Sequence, residues 1–257
     1  MSSLLAFDTA TEHMSVGLCV GRRRWVHEGE GGAQASVTLI PTVMDLLSQA
    51  GIGLRDLDAI AFGRGPGAFT GLRTACSVAQ GLAFGADKPV LCIDTLQVVA
   101  EDARVLSGSN ESADPWVVMD ARMSEIYAAR YRYEAGRWTT VVEPALYTLE
   151  ALNLQFEREP PTQLAGTAID AFGDQLQSGA ATRVAGALPR ANALLSIAEV
   201  DWQDGLAVDA ALALPVYVRD KVALTTVERD AVRAAKTLAA ASIYSAAVAT
   251  GALPRAR

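Results

Sequence analysis

A glycine-rich segment at residues 63–67 contains the residues whose types and spacing best suit ligand chemistry in this sequence. It follows an apolar run at 57–62 and precedes apolar residues at helical spacing over 70–84, which predicts a strand, a turn and a helix. Glycines such as Gly65 and Gly67 let backbone N–H groups approach an anion, and a helix N-terminus favours a phosphate. The spacing matches neither a Walker loop nor a dinucleotide-binding fingerprint. A phosphate-binding turn and a turn that is merely tight therefore both remain open.

Metal-dependent and nucleophilic chemistry find little support in the residue types. The only histidines are His13 and His27, and no two histidines stand four residues apart, as two metal ligands on one helix face would. The cysteines, Cys19, Cys76 and Cys92, lie in apolar patterns, which predicts reduced core thiols and no disulfide. Because a serine or cysteine nucleophile needs a nearby base, we predict neither a zinc site nor a peptidase site.

The composition is that of an acidic chain of 257 residues with ample apolar content. A net charge of −7 and a pI near 4.9 argue against a protein that holds nucleic acid alone, because phosphate binding requires a basic surface. No signal-peptide pattern opens the sequence, and no apolar run reaches the roughly 18 residues of a membrane span. We therefore expect a cytoplasmic protein without membrane contact.

Strands and helices are predicted to alternate on both sides of the glycine-rich segment. In the first hundred residues the predicted strands are 4–7, 15–20, 23–28, 57–62 and 89–93, and the predicted helices are 36–49, 70–84 and 95–106. Beyond them we predict strands at 116–119, 126–133, 137–142 and 164–166, helices at 149–157, 168–177 and 194–203, and an extended segment at 215–219.

The opening pattern of strand, aspartate, turn and strand occurs twice. Asp8 ends one apolar strand and Asp120 ends another 112 residues later, about one domain length. The polar segment 107–114 lies between the two and predicts a boundary. We therefore predict an N-terminal lobe at 1–107, a C-terminal lobe at 115–219 and, from the alanine content, a helical tail at 220–257.

Three segments resemble the TsaB (YeaZ) family of bacterial tRNA-modification proteins. They are LLAFDTATEHMSVGL at 4–18, GRGPGAFTGLRTACSVAQGLA at 63–83 and PVYVRDKVA at 215–223, and the similarity is densest in the first hundred residues. TsaB proteins are paralogues of TsaD (Gcp) in the glycoprotease family, also called peptidase M22-like. The resemblance implies an α/β protein with the actin-like ATPase (ASKHA) fold, built from two duplicated ribonuclease-H-like lobes.

The resemblance also implies a non-catalytic scaffold or activator subunit that is not an enzyme alone. With TsaD and the ATPase TsaE, such a subunit supports N6-threonylcarbamoylation of the adenosine beside the anticodon in tRNAs reading codons that start with A. It would form a heterodimer with TsaD, reach TsaE through that pair, form a homodimer when alone and meet tRNA only within the complex. No cofactor of its own is implied, while ATP or ADP at a junction with a partner is left open.

Both aspartate turns lack residues that active actin-like kinases and ATPases use to hold phosphate. In Asp8-Thr9-Ala10-Thr11 an alanine stands where a glycine would let the backbone approach. The second turn has neither a glycine nor a hydroxyl, and its Arg122 is expected to pair with Asp120 or Glu125. We predict that Asp8 caps its own turn. The residues interpreted as vestigial phosphate loops are Asp8, Thr9, Thr11, Gly65, Gly67 and Asp120. An active ATPase or phosphotransferase using them is the main alternative, and a metallopeptidase a weaker one.

The partner-binding surface is predicted on two helices. In TsaB proteins the first helix and the helix after the glycine-rich segment pair with the same helices of a second copy or of TsaD. One face of the helix at 70–84 has mostly small residues, which would let another helix approach closely. By this resemblance the interface residues are Leu39, Val43, Met44, Leu47, Ala75, Val78, Ala79 and Leu82. Family members often keep a histidine just before the first helix, and Ala35 occupies that place here.

Overall fold

The first half of the chain forms a five-stranded sheet with three helices. The computed structural model describes residues 2–109 and 111–219. The sheet order is β3-β2-β1-β4-β5, in which β1, β2 and β3 pair antiparallel and β4 and β5 continue parallel to β1. The strands are β1 (Ser3–Asp8), β2 (His13–Val20), β3 (Arg23–Glu30), β4 (Ala59–Gly63) and β5 (Val90–Ile93), and the helices α1 (Ala35–Ala50), α2 (Phe69–Ala86) and α3 (Thr95–Leu106) follow β3, β4 and β5.

The second half repeats this arrangement. A short edge strand, β6 (Ser112–Ala113), precedes five strands ordered β9-β8-β7-β10-β11, again three antiparallel and two parallel to the first. They are β7 (Pro115–Asp120), β8 (Glu125–Glu134), β9 (Arg137–Thr148), β10 (Gln163–Ala165) and β11 (Thr182–Val184), and the helices α4 (Leu149–Arg158), α5 (Ala168–Phe172) and α6 (Ala191–Gln203) follow β9, β10 and β11. The matching element order confirms the predicted pair of ribonuclease-H-like lobes and the actin-like fold class.

The third helix of each half packs on the sheet of the other half. Leu96 and Val99 of α3 lie in one apolar cluster with Tyr131 of the second sheet, and Leu194 of α6 lies in another with Leu4 of the first. Burial of these side chains ties the two sheets together through the hydrophobic effect. The described residues up to Val218 consequently form one compact unit.

Helices α1 and α2 cover the opposite face of the first sheet. Phe7 and Val16 of the sheet share an apolar cluster with Leu39 of α1 and Ala75 of α2. As predicted, α1 stops before Gly51, which adopts a left-handed φ of 72° that glycine tolerates best.

Several element boundaries differ from the sequence-based predictions. The helix predicted at 168–177 ends at Phe172 and continues only as a 3-10 turn, and β11 was not predicted. β9 extends six residues beyond the predicted 142 and includes Pro144, which a strand tolerates at the edge of a sheet where its missing N–H is not needed. The segment predicted as extended at 215–219 joins no strand, and the predicted tail at 220–257 lies outside the described residues. Within the described ranges, no helix is long and apolar enough to cross a membrane.

Candidate functional site

The glycine-rich segment packs directly against the turn between β1 and β2. A Cβ atom on Gly67 would lie 2.4 Å from the carbonyl oxygen of Ala10, and one on Gly71 would lie 1.9 Å from that of Thr9. The Ala68 N–H donates to the Ala10 carbonyl at 2.7 Å, and the Thr9 hydroxyl donates to the Gly71 carbonyl at 2.8 Å. These glycines therefore permit a close contact between the start of α2 and the β1–β2 turn, which is the tight-turn interpretation left open by the sequence.

Asp8 lies fully buried beneath this contact. Its Oδ1 accepts the Ala10 N–H at 2.7 Å, so the predicted self-capped turn is present, and its Oδ2 accepts the Thr95 hydroxyl at 2.7 Å. A Cβ on Gly63 would approach Oδ2 to 1.7 Å, so the carboxylate fills the space over that glycine. Burial raises the pKa of Asp8 to about 6, although the hydrogen bonds from Ala10 and Thr95 act to lower it. Asp8 thus joins the first turn to the start of α3.

Asp120 makes the same turn in the second lobe but in a more open setting. Its Oδ1 accepts the Arg122 N–H at 2.8 Å, and its own N–H donates to the Thr167 hydroxyl at 3.2 Å. The Arg122 guanidinium pairs with Asp120 at 3.3 Å, as predicted, and with Glu12 of the β1–β2 turn at 3.1 Å. An arginine therefore bridges the two aspartate turns, in contacts that are mostly exposed and individually weak.

Other polar residues near the first turn were not singled out from the sequence. Arg64, directly after β4, pairs with Asp94 at 2.6 Å, and Asp94 immediately precedes α3. The Gly65 N–H donates to the Thr95 hydroxyl at 3.2 Å, and the Gly65 carbonyl accepts the Thr95 N–H at 2.9 Å. The sequence signal was an Asp-Thr pair between a predicted strand and a predicted helix, which marks a helix start. These contacts hold the glycine-rich segment against α3.

The remaining candidates for metal or nucleophilic chemistry are dispersed. Among residues 2–109 and 111–219, no three His, Cys, Asp or Glu side chains cluster as a metal site would require. His13 pairs with Glu28 at 2.6 Å, on neighbouring strands. Cys19 and Cys76 are buried as predicted, and burial raises the pKa of Cys19 to about 11, which disfavours the reactive thiolate.

The predicted interface residues require a correction. Five of them face the interior of the protein and are at most 2% exposed: Leu39, Val43, Leu47, Ala75 and Ala79. They pack in the apolar cluster under α1 and α2, so they cannot contact a partner without disrupting the core. Val78 and Leu82 are partly buried against the same cluster, and Met44 is 50% exposed. The predicted interface is thus wrong for these five residues, which lie on the faces of α1 and α2 that pack against the sheet.

The outer face of the two helices carries a different set of apolar residues. Val37, Ile40 and Met44 lie at i, i+3 and i+7 on α1 and are 68%, 48% and 50% exposed. On α2, Phe84 is 75% exposed, and a Cβ on the nearby Gly81 would meet open space. We call Val37, Ile40, Met44 and Phe84 the outer apolar set.

The fold and the site together define a class of protein: a two-lobed actin-like chain whose first aspartate turn packs against the start of α2. The sequence model of the family described as "TsaD: tRNA N6-adenosine threonylcarbamoyltransferase" matches residues 27–250. The TsaB proteins of Escherichia coli and Haemophilus influenzae are 35% and 33% identical to this chain, each over 86% of it and over 96% and 94% of their own lengths.

Solved structures agree with these relatives. The structure titled "YeaZ from Pseudomonas aeruginosa" is 36% identical, covers 84% of this chain and all of its own, and superposes with a TM-score of 0.73. A second structure, of an uncharacterized protein "with similarity to peptidase YEAZ from Pseudomonas aeruginosa", is 38% identical over 85% of this chain, with a TM-score of 0.77. The chain belongs to the TsaB (YeaZ) group of the TsaD family.

Proposed function

We propose that this chain is a non-catalytic scaffold subunit in the biosynthesis of threonylcarbamoyladenosine in tRNA. Its TsaB relatives are named for that pathway, which supports a place in it. The observation that carries the non-catalytic role is the filled first turn: Asp8 is fully buried and bonded to Thr95, and the start of α2 occupies the space over Thr9. Because the Asp8 carboxylate is buried and already hydrogen-bonded, it is not available to hold the metal of a metal-bound phosphate.

The partner-binding part of the proposal rests on the outer apolar set. Exposed apolar side chains on the two helices favour contact with a partner protein. By the family resemblance the partner is TsaD, with TsaE joining through that pair, and a second copy of this chain takes the same place when TsaD is absent. The net charge of −7 accords with tRNA being held by the complex and not by this chain alone.

Size-exclusion chromatography with light scattering tests the interface. The wild-type chain should form a homodimer and exchange into a one-to-one heterodimer with TsaD of the same organism. Met44→Glu should prevent both assemblies, because it places a charge in an apolar contact. The matched control is Leu154→Glu on α4, which is 47% exposed and lies outside the outer apolar set. Normal heterodimer formation by Met44→Glu would refute the interface.

A separate assay tests the non-catalytic role. When Asp8→Ala is mixed with the other pathway proteins, tRNA modification per folded molecule should equal that of the wild type. The isolated wild-type chain should not hydrolyse ATP. Magnesium-dependent ATP binding by the isolated wild-type chain, lost in Asp8→Ala, would instead favour an active ATPase or phosphotransferase.

A further inference from the structure

A pocket lies between α3, the β8–β9 hairpin and α6. Its volume is about 380 Å³, within the range of small-molecule sites. It is at the far end of the second sheet from the Asp120 turn, because β8 runs from Glu125 to Glu134, roughly 30 Å at the rise of an extended strand. The residues that matter below are Glu101 and Arg104 of α3, Arg137 and Trp138 of β9, and Asp201 of α6. No residue of either aspartate turn lines the pocket.

The charges lining this pocket are paired, with one exception. Arg104 makes two hydrogen bonds of 2.8 Å to Glu101, and Arg137 is paired with Asp204. In the described part of the chain, no side chain or backbone group forms a hydrogen bond or an ion pair with the Asp201 carboxylate. The lining thus has one more negative than positive charge, and the excess is located at Asp201.

The Asp201 carboxylate is poorly solvated as well as unpaired. Burial raises its pKa to about 6, and the more distant cations Arg137 and Arg64 only partly offset this effect. A cation placed against this carboxylate would recover the lost interaction through charge-assisted hydrogen bonds. An amidinium or guanidinium group is especially suitable because it can donate to both carboxylate oxygens at once.

One wall of the same pocket is aromatic and held in a fixed orientation. The Trp138 indole N–H donates to Glu101 at 3.0 Å, and the Trp138 and Tyr133 ring centroids are 5.1 Å apart. The Arg104 guanidinium lies 4.3 Å from the Tyr133 ring centroid, which further limits movement of this wall. Such a preorganised apolar surface favours a ligand with a flat or compact apolar body.

We propose that this pocket binds a small organic cation, with its amidinium, guanidinium or amine nitrogen at Asp201 and its apolar body along Trp138. The proposal concerns a site apart from the aspartate turns and the outer apolar set, and it does not depend on the proposed function.

Benzamidine is the probe, and its neutral isostere benzamide is the matched ligand. Both are titrated into the deuterated full chain while the indole N–H signals of its four tryptophans are followed by NMR, with Trp138→Phe assigning the Trp138 signal. Benzamidine should shift the Trp138 signal saturably. Benzamide should bind at least about tenfold more weakly, because it lacks the charge that Asp201 requires.

The Asp201→Asn variant tests the residue itself. It should reduce benzamidine affinity at least about tenfold and leave the weak benzamide affinity unchanged. Asp170→Asn on α5 is the control, since it removes an exposed carboxylate that does not line the pocket. Equal affinities for the two ligands, absence of saturable binding, or unchanged benzamidine affinity in Asp201→Asn would each overturn the proposal. If Asp201→Asn does not fold, the comparison of the two ligands on the wild-type chain still decides it.

Discussion

Asp8 and Asp120 cap the same four-residue turn in the two lobes, yet only Asp8 is fully buried. Each accepts the N–H two residues ahead, at 2.7 and 2.8 Å. The helices that follow the fourth strand of each lobe also differ: α2 has 18 residues and packs its start on the first turn, whereas α5 has only five. Both lobes thus have the same turn, and the aspartate is fully buried only in the lobe with the longer helix.

The buried Asp8 should leave a signature in the pH dependence of stability. Its pKa is about 6 in the folded protein and near 3.8 when unfolded. Between these two pH values, the Asp8 carboxyl group is therefore mostly protonated in the folded protein and mostly ionised in the unfolded chain. Stability attributable to Asp8 should therefore rise as the pH falls through 6. Relative to Asp8→Asn, the wild type should gain about 1 kcal/mol in free energy of unfolding between pH 7 and pH 5. Urea titrations at the two pH values measure this, and a constant difference would show that Asp8 titrates normally.

Two glycines of α2 should respond oppositely to alanine. Gly71→Ala should destabilise the protein by roughly 2–4 kcal/mol, because its Cβ would lie 1.9 Å from the Thr9 carbonyl oxygen. Gly85→Ala meets open space and should stabilise the helix by up to about 1 kcal/mol. Thermal unfolding of both variants checks this, and equal midpoints would contradict the close contact between α2 and the β1–β2 turn.

Charge placed on the inner and outer faces of the helix pair should have different consequences. Ala79→Glu introduces a carboxylate at a position with no exposed surface and should leave little folded protein. Met44→Glu is at a half-exposed position and should change the free energy of unfolding of the isolated monomer by less than about 1 kcal/mol. Circular dichroism with urea titration distinguishes them. A well-folded Ala79→Glu protein would mean that the inner face is not the core.

A partly buried ion pair between the lobes should contribute more to stability than a more exposed one. Asp102 of α3 pairs with Arg190 and accepts the Leu188 N–H at 2.9 Å. Asp102→Ala would remove the ion pair and leave the Leu188 N–H without its acceptor, and should cost about 2 kcal/mol. Glu199→Gln weakens the more exposed pair with Arg24 and should cost less than about 1 kcal/mol. Equal losses of unfolding free energy in urea would argue against a special role for the contact between α3 and the Leu188–Arg190 segment.

The predictions from sequence were accurate where local pattern is sufficient. The helix predicted at 95–106 was found as Thr95–Leu106, and every strand predicted in the first hundred residues was found within two residues of its bounds. Pro144 and the mostly exposed pattern of β9 concealed that strand's true length, because periodicity is a weak signal in an edge strand. The pocket at Asp201 was not predicted, since its three walls are distant in sequence.

The sequence by itself determined the duplicated α/β pattern, the two aspartate turns and the absence of a paired-histidine motif. Tertiary structure alone decided which face of α1 and α2 is buried, that α3 and α6 each pack on the other lobe's sheet, and that the glycines serve contact with Thr9 and Ala10. The physical reason is that periodicity and residue size report a segment's own apolar surface, whereas burial depends on which neighbour covers that surface. Small residues such as Ala75 and Ala79 suit either a partner helix or the chain's own sheet, and only the packed fold distinguishes the two.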